Sequence, residues 1–209
     1  MKTHIFGSGT THFYIGIDNG ASAEAEEIYR LASELCGGKE FCLAEFEAEN
    51  WNDDFSPWQS EPVFGDKGFS GNAKKTLETI EKEVIPFVRE SRGTPERQFI
   101  AGYSLSGLFA LWSCFESDIW DGAAVCSGSL WYPQFREYVM SKEVPRGKFY
   151  FSLGDKESKT KNKAMSCVED VTLEICGKFG VPLDFQQGGH FKDCALRTAK
   201  GIAFLNNAK

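Results

Sequence analysis

No stretch of this chain is apolar for long enough to cross a bilayer, and the opening residues, MKTHIFGSGTTHFYIGIDNG, lack the uninterrupted apolar segment of a secretory signal. These absences argue against a membrane partner and set the expectation of a cytoplasmic protein. Positive charge is also scarce. Lys and Arg number 23 against 30 Asp and Glu, the net charge is -7, and the one basic cluster, residues 156–163, is short and interrupted by Glu157. A nucleic-acid partner is therefore not expected. Histidine occurs only at positions 4, 12 and 190, with no Cys or Asp cluster at ligand spacing, so no metal centre is expected. The seven cysteines are an odd count without a C-x-x-C pair, which reads as reduced core thiols, with Cys36 and Cys42 around a Gly-Gly turn as the one redox alternative.

What is present is ample material for a core: 42% hydrophobic residues and 14% aromatics over 209 residues, with no composition shift that marks a linker. One domain spanning 1–209 is expected. Short β-rich runs (residues 12–17, 41–46, 122–127, 148–153 and 182–187) alternate with helical periodicity. That alternation predicts an α/β fold with a mostly parallel sheet of about six strands and helices on both faces. Ser22 is placed to cap the first helix. Residues 49–71 form a long polar and aromatic loop, and 72–92 read as a helix that Pro86 kinks or whose regular part it ends. The closing helix, 193–207, turns Leu196, Ala199, Ala203 and Phe204 inward.

The chain is organised around residues 97–115, RQFIAGYSLSGLFALWSCF, where an apolar run enters a Gly-Tyr-Ser-Leu-Ser-Gly turn and a helical apolar pattern leaves it. A serine at the apex of a strand-turn-helix has its hydroxyl pushed out above the sheet edge, over a helix N-terminus. Ser104 holds that place. Strand and helix approach closely there, so small residues are needed two places to either side. Gly102 meets the need, and Ser106 stands where glycine is usual, with Gly107 one step late.

Loops beyond the carboxyl ends of parallel strands share one edge of a sheet. Ser104, the pair Asp155 and Glu157, and His190 each follow a strand, in the order serine, acid, histidine. A serine hydroxyl becomes a competent nucleophile when an imidazole takes its proton, and that imidazole needs an acceptor to fix its tautomer. His190 is the candidate base. Glu157 is preferred to Asp155 as the acid, because Asp155 can instead cap the strand end. The backbone N–H of Leu105 and that of Asn19, in the Asp18-Asn19-Gly20 turn, are the candidate oxyanion donors. Trp58, Trp131 and Tyr132 are candidates to line a substrate pocket, with packing around loops as the alternative.

Five stretches, WNDDFSPW, GYSLSGLFALW, DGAAVCSGSLWYPQFREYV, YFSLGDKESKTKN and GGHFKDCALRTAKGIAFL, resemble the enterochelin esterase and esterase D-like group of α/β-hydrolases. The resemblance runs from about Phe13 to Leu205. It implies a minimal α/β-hydrolase that cleaves small carboxylic esters or thioesters without a cofactor, with Ser104 as nucleophile, His190 as base and the acid within Gly-Asp-Lys-Glu. Acyl transfer on the same fold and a catalytically silent binding protein are the rival expectations. The short segment ahead of the first central strand, without the extra strands and binding domain of many such proteins, argues against a siderophore-specific role.

Overall fold

The computed structural model describes residues 1–63 and 65–208. Among the described residues seven strands form one sheet: β1 (Thr3–Gly7), β2 (Thr11–Asp18), β3 (Cys42–Ala48), β6 (Arg97–Tyr103), β7 (Gly122–Cys126), β8 (Lys148–Gly154) and β9 (Leu183–Gln186). Their order across the sheet is β1-β3-β2-β6-β7-β8-β9. A two-stranded ribbon, β4 (Gln59–Ser60) with β5 (Phe69–Ser70), lies in the long loop. All main-sheet pairings are parallel except that of β1, which runs antiparallel to β3 with Thr3 opposite Phe46 and Gly7 opposite Cys42. The sheet is thus one strand larger than expected. THIFG carries little hydrophobic signal because an edge strand buries only part of each side chain, and all five of its residues remain intermediate or exposed.

Helices cover both faces. On one, α1 (Ser22–Leu35) and α8 (Cys194–Asn207) pack Ala25, Ile28, Ala32, Ala199 and Ile202 against Phe13 and Ile15 of β2. On the other lie α3 (Ala73–Thr79), α4 (Ile85–Arg92), α5 (Leu105–Glu116), α6 (Phe135–Ser141) and α7 (Val168–Phe179), which share a larger core with Tyr14, Ala44, Phe46, Ile100 and Val125. The four-residue α2 (Trp51–Asp54) follows β3, and a single 3-10 turn, Glu157–Lys159, follows β8. Among the described residues no helix is long and apolar enough to cross a membrane.

Pro86 does interrupt the regular part of its helix: a π-turn over Ile80–Val84 joins α3 to α4 just ahead of it, and the helix continues beyond the proline. The wider turn moves the preceding carbonyls away from the proline ring and absorbs the missing N–H. Two local expectations change. Ser22 does not cap α1, whose N-cap is Ala21; the Ser22 hydroxyl instead donates to Glu45 and Glu47 on β3. Phe204 points outward, half exposed, while Ile202 and Leu205 are buried in its place. The thiols of Cys36 and Cys42 are both buried, and burial pushes that of Cys42 up to about 11, which leaves neither in the accessible thiolate state that redox chemistry needs.

Ser106 explains itself in the packing. A Cβ on Gly102 would come within 2.2 Å of the Ser106 carbonyl oxygen, and one on Gly107 within 3.1 Å of the Gly128 Cα, so these two positions carry the demand for small residues. The Ser106 side chain is turned away from both, fully buried, and its hydroxyl donates to the carbonyl of Gly16 at 2.8 Å. The serine therefore ties the first turn of α5 to β2. Ser106→Ala should destabilise the fold by about 1–2 kcal/mol, the cost of a buried carbonyl that loses its donor, as read by urea denaturation.

Candidate active site

Strand β6 ends at Tyr103 and helix α5 begins at Leu105, so Ser104 is the single residue between them. Its backbone sits at φ 58° and ψ -122°, a conformation that costs a non-glycine residue roughly 1–3 kcal/mol. Three hydrogen bonds hold it there: Ser104 N–H to the Cys126 carbonyl at 3.2 Å, and the N–H groups of Leu108 and Ser129 to the Ser104 carbonyl at 3.1 and 2.9 Å. The hydroxyl lies 3.0 Å from Nε2 of His190 and 3.3 Å from the Ser129 hydroxyl.

His190 stands in the loop after β9, and its other ring nitrogen, Nδ1, is 2.7 Å from Oε2 of Glu157. An ionised carboxylate can only accept, so Nδ1 carries the hydrogen of the neutral ring and Nε2 is left as an acceptor facing the serine hydroxyl. The loop is fixed at its backbone as well, since the Tyr103 hydroxyl donates to the His190 carbonyl at 2.5 Å. Ser104, His190 and Glu157 come from three different crossovers and meet only because β6, β8 and β9 run parallel to one edge.

Glu157 is almost completely buried. Its Oε1 accepts from the Ser127 hydroxyl at 2.7 Å, the Gly154 N–H at 2.7 Å and Nη1 of Arg197 at 3.0 Å. Burial pushes the carboxyl pKa up, but the hydrogen bond and charge of His190, with the donors from Ser127 and Gly154, outweigh it and hold the group below the ordinary carboxylate range. A lowered folded-state pKa favours the folded state at all pH above the unfolded value, and that contribution drains away as pH falls through the folded value. Asp155 is exposed and elsewhere: its Oδ1 accepts the Gly188 N–H at 2.7 Å, which ties the end of β8 to the histidine loop.

Arg197 was not singled out by the sequence. It is 1% exposed, and besides Glu157 its guanidinium donates to the Tyr103 and Ser127 hydroxyls, both at 3.2 Å, and to the carbonyls of Gln187 and Gly189 at 3.3 and 3.0 Å. One side chain thus clamps the carboxylate and the histidine loop together. A signal did exist. Arg197 lies three residues after Cys194 and four before Gly201, on the inward stripe of α8, where a lone arginine needs a buried partner.

The strand-to-helix turn after β2 supplies backbone donors differently from expectation. The Asn19 N–H is occupied by Oδ1 of its neighbour Asp18 at 2.9 Å, and the Ala21 N–H by the Asp18 carbonyl at 3.0 Å. Asn19 lines a separate depression with Lys2 and Glu47. Strand alternation points instead to Asp18. The Gly16 carbonyl faces α5, so the Asp18 N–H, two residues on, projects to the same side, past the last β2–β6 pair at Ile15 and Ala101. Leu105 is the first residue of α5, where a backbone N–H has no acceptor within the helix.

Ser104 and His190 open into a cavity of about 330 Å³, walled by Gly16, Ile17, Trp51 and Tyr103 among others. Trp58, Trp131 and Tyr132 are not among its walls. Trp58 donates from Nε1 to the Pro133 carbonyl at 3.0 Å, Tyr132 donates to the Trp58 carbonyl at 2.6 Å, and their rings pack 5.9 Å apart, with Trp131 beside Tyr132. They brace the long loop against α6, the packing alternative, and the tryptophan that faces the cavity is Trp51. A bigger depression of about 790 Å³ lies by Asp121 and Gly147, at the opposite, amino-terminal ends of β7 and β8. Among the described residues, the one group with metal-ligand geometry is His4, Glu45 and Glu47 at the β1–β3 edge. Lys2 already pairs with Glu47, and His4 with Glu45.

No protein-family model matches the chain, and no curated protein matches it significantly. Solved structures do. A siderophore hydrolase, EstA, from Aspergillus nidulans superposes with a TM-score of 0.71 at 18% identity, over 96% of this chain and 83% of that one. An IroE-like serine hydrolase from Shewanella oneidensis gives 0.72 at 16% identity, over 98% and 73%. The enterobactin hydrolase IroE, in a complex with DFP, gives 0.67 at 15% identity, over 96% and 84%. The chain has the α/β-hydrolase fold that these serine hydrolases share.

Proposed function

We propose that this chain is a serine esterase that hydrolyses carboxylic esters or thioesters through an acyl-enzyme on Ser104. One observation carries the reading: a single imidazole bridges the Ser104 hydroxyl and a buried carboxylate, at 3.0 and 2.7 Å. As the Ser104 Oγ attacks an acyl carbonyl, its proton passes to Nε2 of His190, and the imidazolium so formed is stabilised by Glu157 through Nδ1–H. The N–H groups of Leu105 and Asp18 take the developing oxyanion, a role in which loss of one donor costs about 3–4 kcal/mol. His190 returns the proton to the leaving alcohol or thiol. Water, activated by the same nitrogen, then releases the acid and restores the serine. The structural likeness to siderophore and enterobactin hydrolases supports this reading at the level of fold.

A fluorophosphonate probe tests it. The protein should be labelled at Ser104 within minutes, and Ser104→Ala should take up no label. A folded protein that stays unlabelled across pH 5 to 9 would instead be a binding protein on a hydrolase scaffold.

A further inference from the structure

We infer that the reaction cavity selects esters carrying a cationic, ammonium-type group, and this rests on the esterase reading of the same site. Two solvent-exposed carboxylates line the cavity beside Ser104, Asp18 at the end of β2, whose Oδ1 accepts the Asn19 N–H, and Glu24 in the first turn of α1, and no lysine or arginine lines it. Among the described residues neither carboxylate is in an ion pair, whereas other acids of the same edge are neutralised internally: Glu157 by Arg197 and Glu47 by Lys2. The two negative charges feel each other. Partial desolvation, and then the charge of Asp18, raise the Glu24 carboxyl above its ordinary value.

The apolar walls suit the same guest. Trp51, Tyr103 and Phe191 face the cavity, and Phe191 is 91% exposed, with its ring edge-on to that of His190 at 5.0 Å. Aromatic faces attract a quaternary or protonated ammonium through the ring quadrupole, and carboxylates supply the net charge. An anionic ester would meet like charge at both acids with no basic residue to offset it. A cavity of about 330 Å³ admits a small acyl group with a short ammonium-bearing alcohol or thiol. The negative field follows from particular side chains at the serine rather than from the overall charge of -7.

Three thioesters of matched size test the inference: acetylthiocholine, its neutral 3,3-dimethylbutyl isostere, and the S-acetyl ester of 3-mercaptopropanoate, assayed by thiol release. The expected order of kcat/KM is cation, neutral, anion, with about tenfold at each step at low salt and less in 1 M salt. Glu24→Gln should bring the cation-to-neutral ratio down by about fivefold. A ratio of one that neither salt nor Glu24→Gln moves, or a preference for the anion, overturns the inference while leaving the esterase reading intact. Titration with phenyltrimethylammonium, followed calorimetrically in Ser104→Ala and in Ser104→Ala/Glu24→Gln, separates the two claims. If all three thioesters are inert, the esterase reading fails, and saturable ammonium binding that weakens about tenfold without Glu24 still supports the cation site. Absence of such binding removes it.

Discussion

Ser104→Ala should lower kcat/KM for an activated ester such as p-nitrophenyl acetate by about 10⁴–10⁶-fold, His190→Ala by a similar factor, and the double variant by little more than either. The reasoning is geometric. The Ser104 hydroxyl sits 3.0 Å from Nε2 of His190 and 3.3 Å from another hydroxyl, Ser129, which is no stronger a base than itself. Without the imidazole nothing in reach takes the proton, and without the hydroxyl the imidazole has no nucleophile to activate. Each loss alone therefore removes the whole unit, and the residual rate is whatever the oxyanion donors and substrate binding supply to attack by water. Circular dichroism and a melting curve serve as the control for folding. Alanine at position 104 keeps the positive φ and the three backbone hydrogen bonds of the turn, so the Ser104→Ala protein should melt within a few degrees of the native one. Losses that add in free energy would mean that serine and histidine act separately, and the triad would then be only a hydrogen-bonded row.

Much of this site was legible in the sequence because each of its parts obeys a local rule. A serine between a strand and a helix, with Gly102 before it, marks the apex of a turn in a single short window of sequence, and the choice of His190 follows from scarcity among three histidines. Which carboxylate meets His190 was harder to read. Asp155 and Glu157 share one loop, and the choice depends on which of them the short 3-10 turn buries, a matter settled by Ser127, Gly154 and Arg197. Those partners lie 30, 3 and 40 residues away, so no window of sequence holds them together. The turn after β2 departs from expectation for a related reason. Whether Asp18 or Asn19 presents its N–H depends on the parity of β2, fixed by the contact of the Gly16 carbonyl with Ser106. The aromatic residues misled because composition alone does not distinguish a tryptophan that braces a loop, Trp58, from one that faces the cavity, Trp51. Edge strand β1 escaped notice because a half-exposed strand does not need the apolar alternation by which the others were recognised.

Glu157→Gln should lower kcat by about 10³–10⁴-fold, whereas Asp155→Asn should change it less than about threefold. The first is a near-isosteric change, and its size follows from donors that cannot be turned around. Oε1 of Glu157 faces the Gly154 N–H and the Arg197 guanidinium, groups that only donate, together with the Ser127 hydroxyl. A glutamine must therefore place its carbonyl oxygen there and its NH₂ where Oε2 stood, 2.7 Å from Nδ1 of His190. Nδ1 then has to accept, the ring hydrogen moves to Nε2, and Nε2–H points at the serine hydroxyl as a donor. The base is lost through the wrong tautomer although every heavy atom stays in place. Flipping the amide would set its NH₂ against Arg197 and Gly154 with no acceptor among them, so the protein cannot escape by rotating the side chain. Asparagine at 155, by contrast, keeps a carbonyl oxygen for the Gly188 N–H and disturbs only an exposed loop tie. Steady-state kcat over pH 5 to 9, wild type beside both variants, distinguishes the two carboxylates. A larger loss from Asp155→Asn than from Glu157→Gln would assign the acid to Asp155 and make the Arg197–Glu157 pair structural alone.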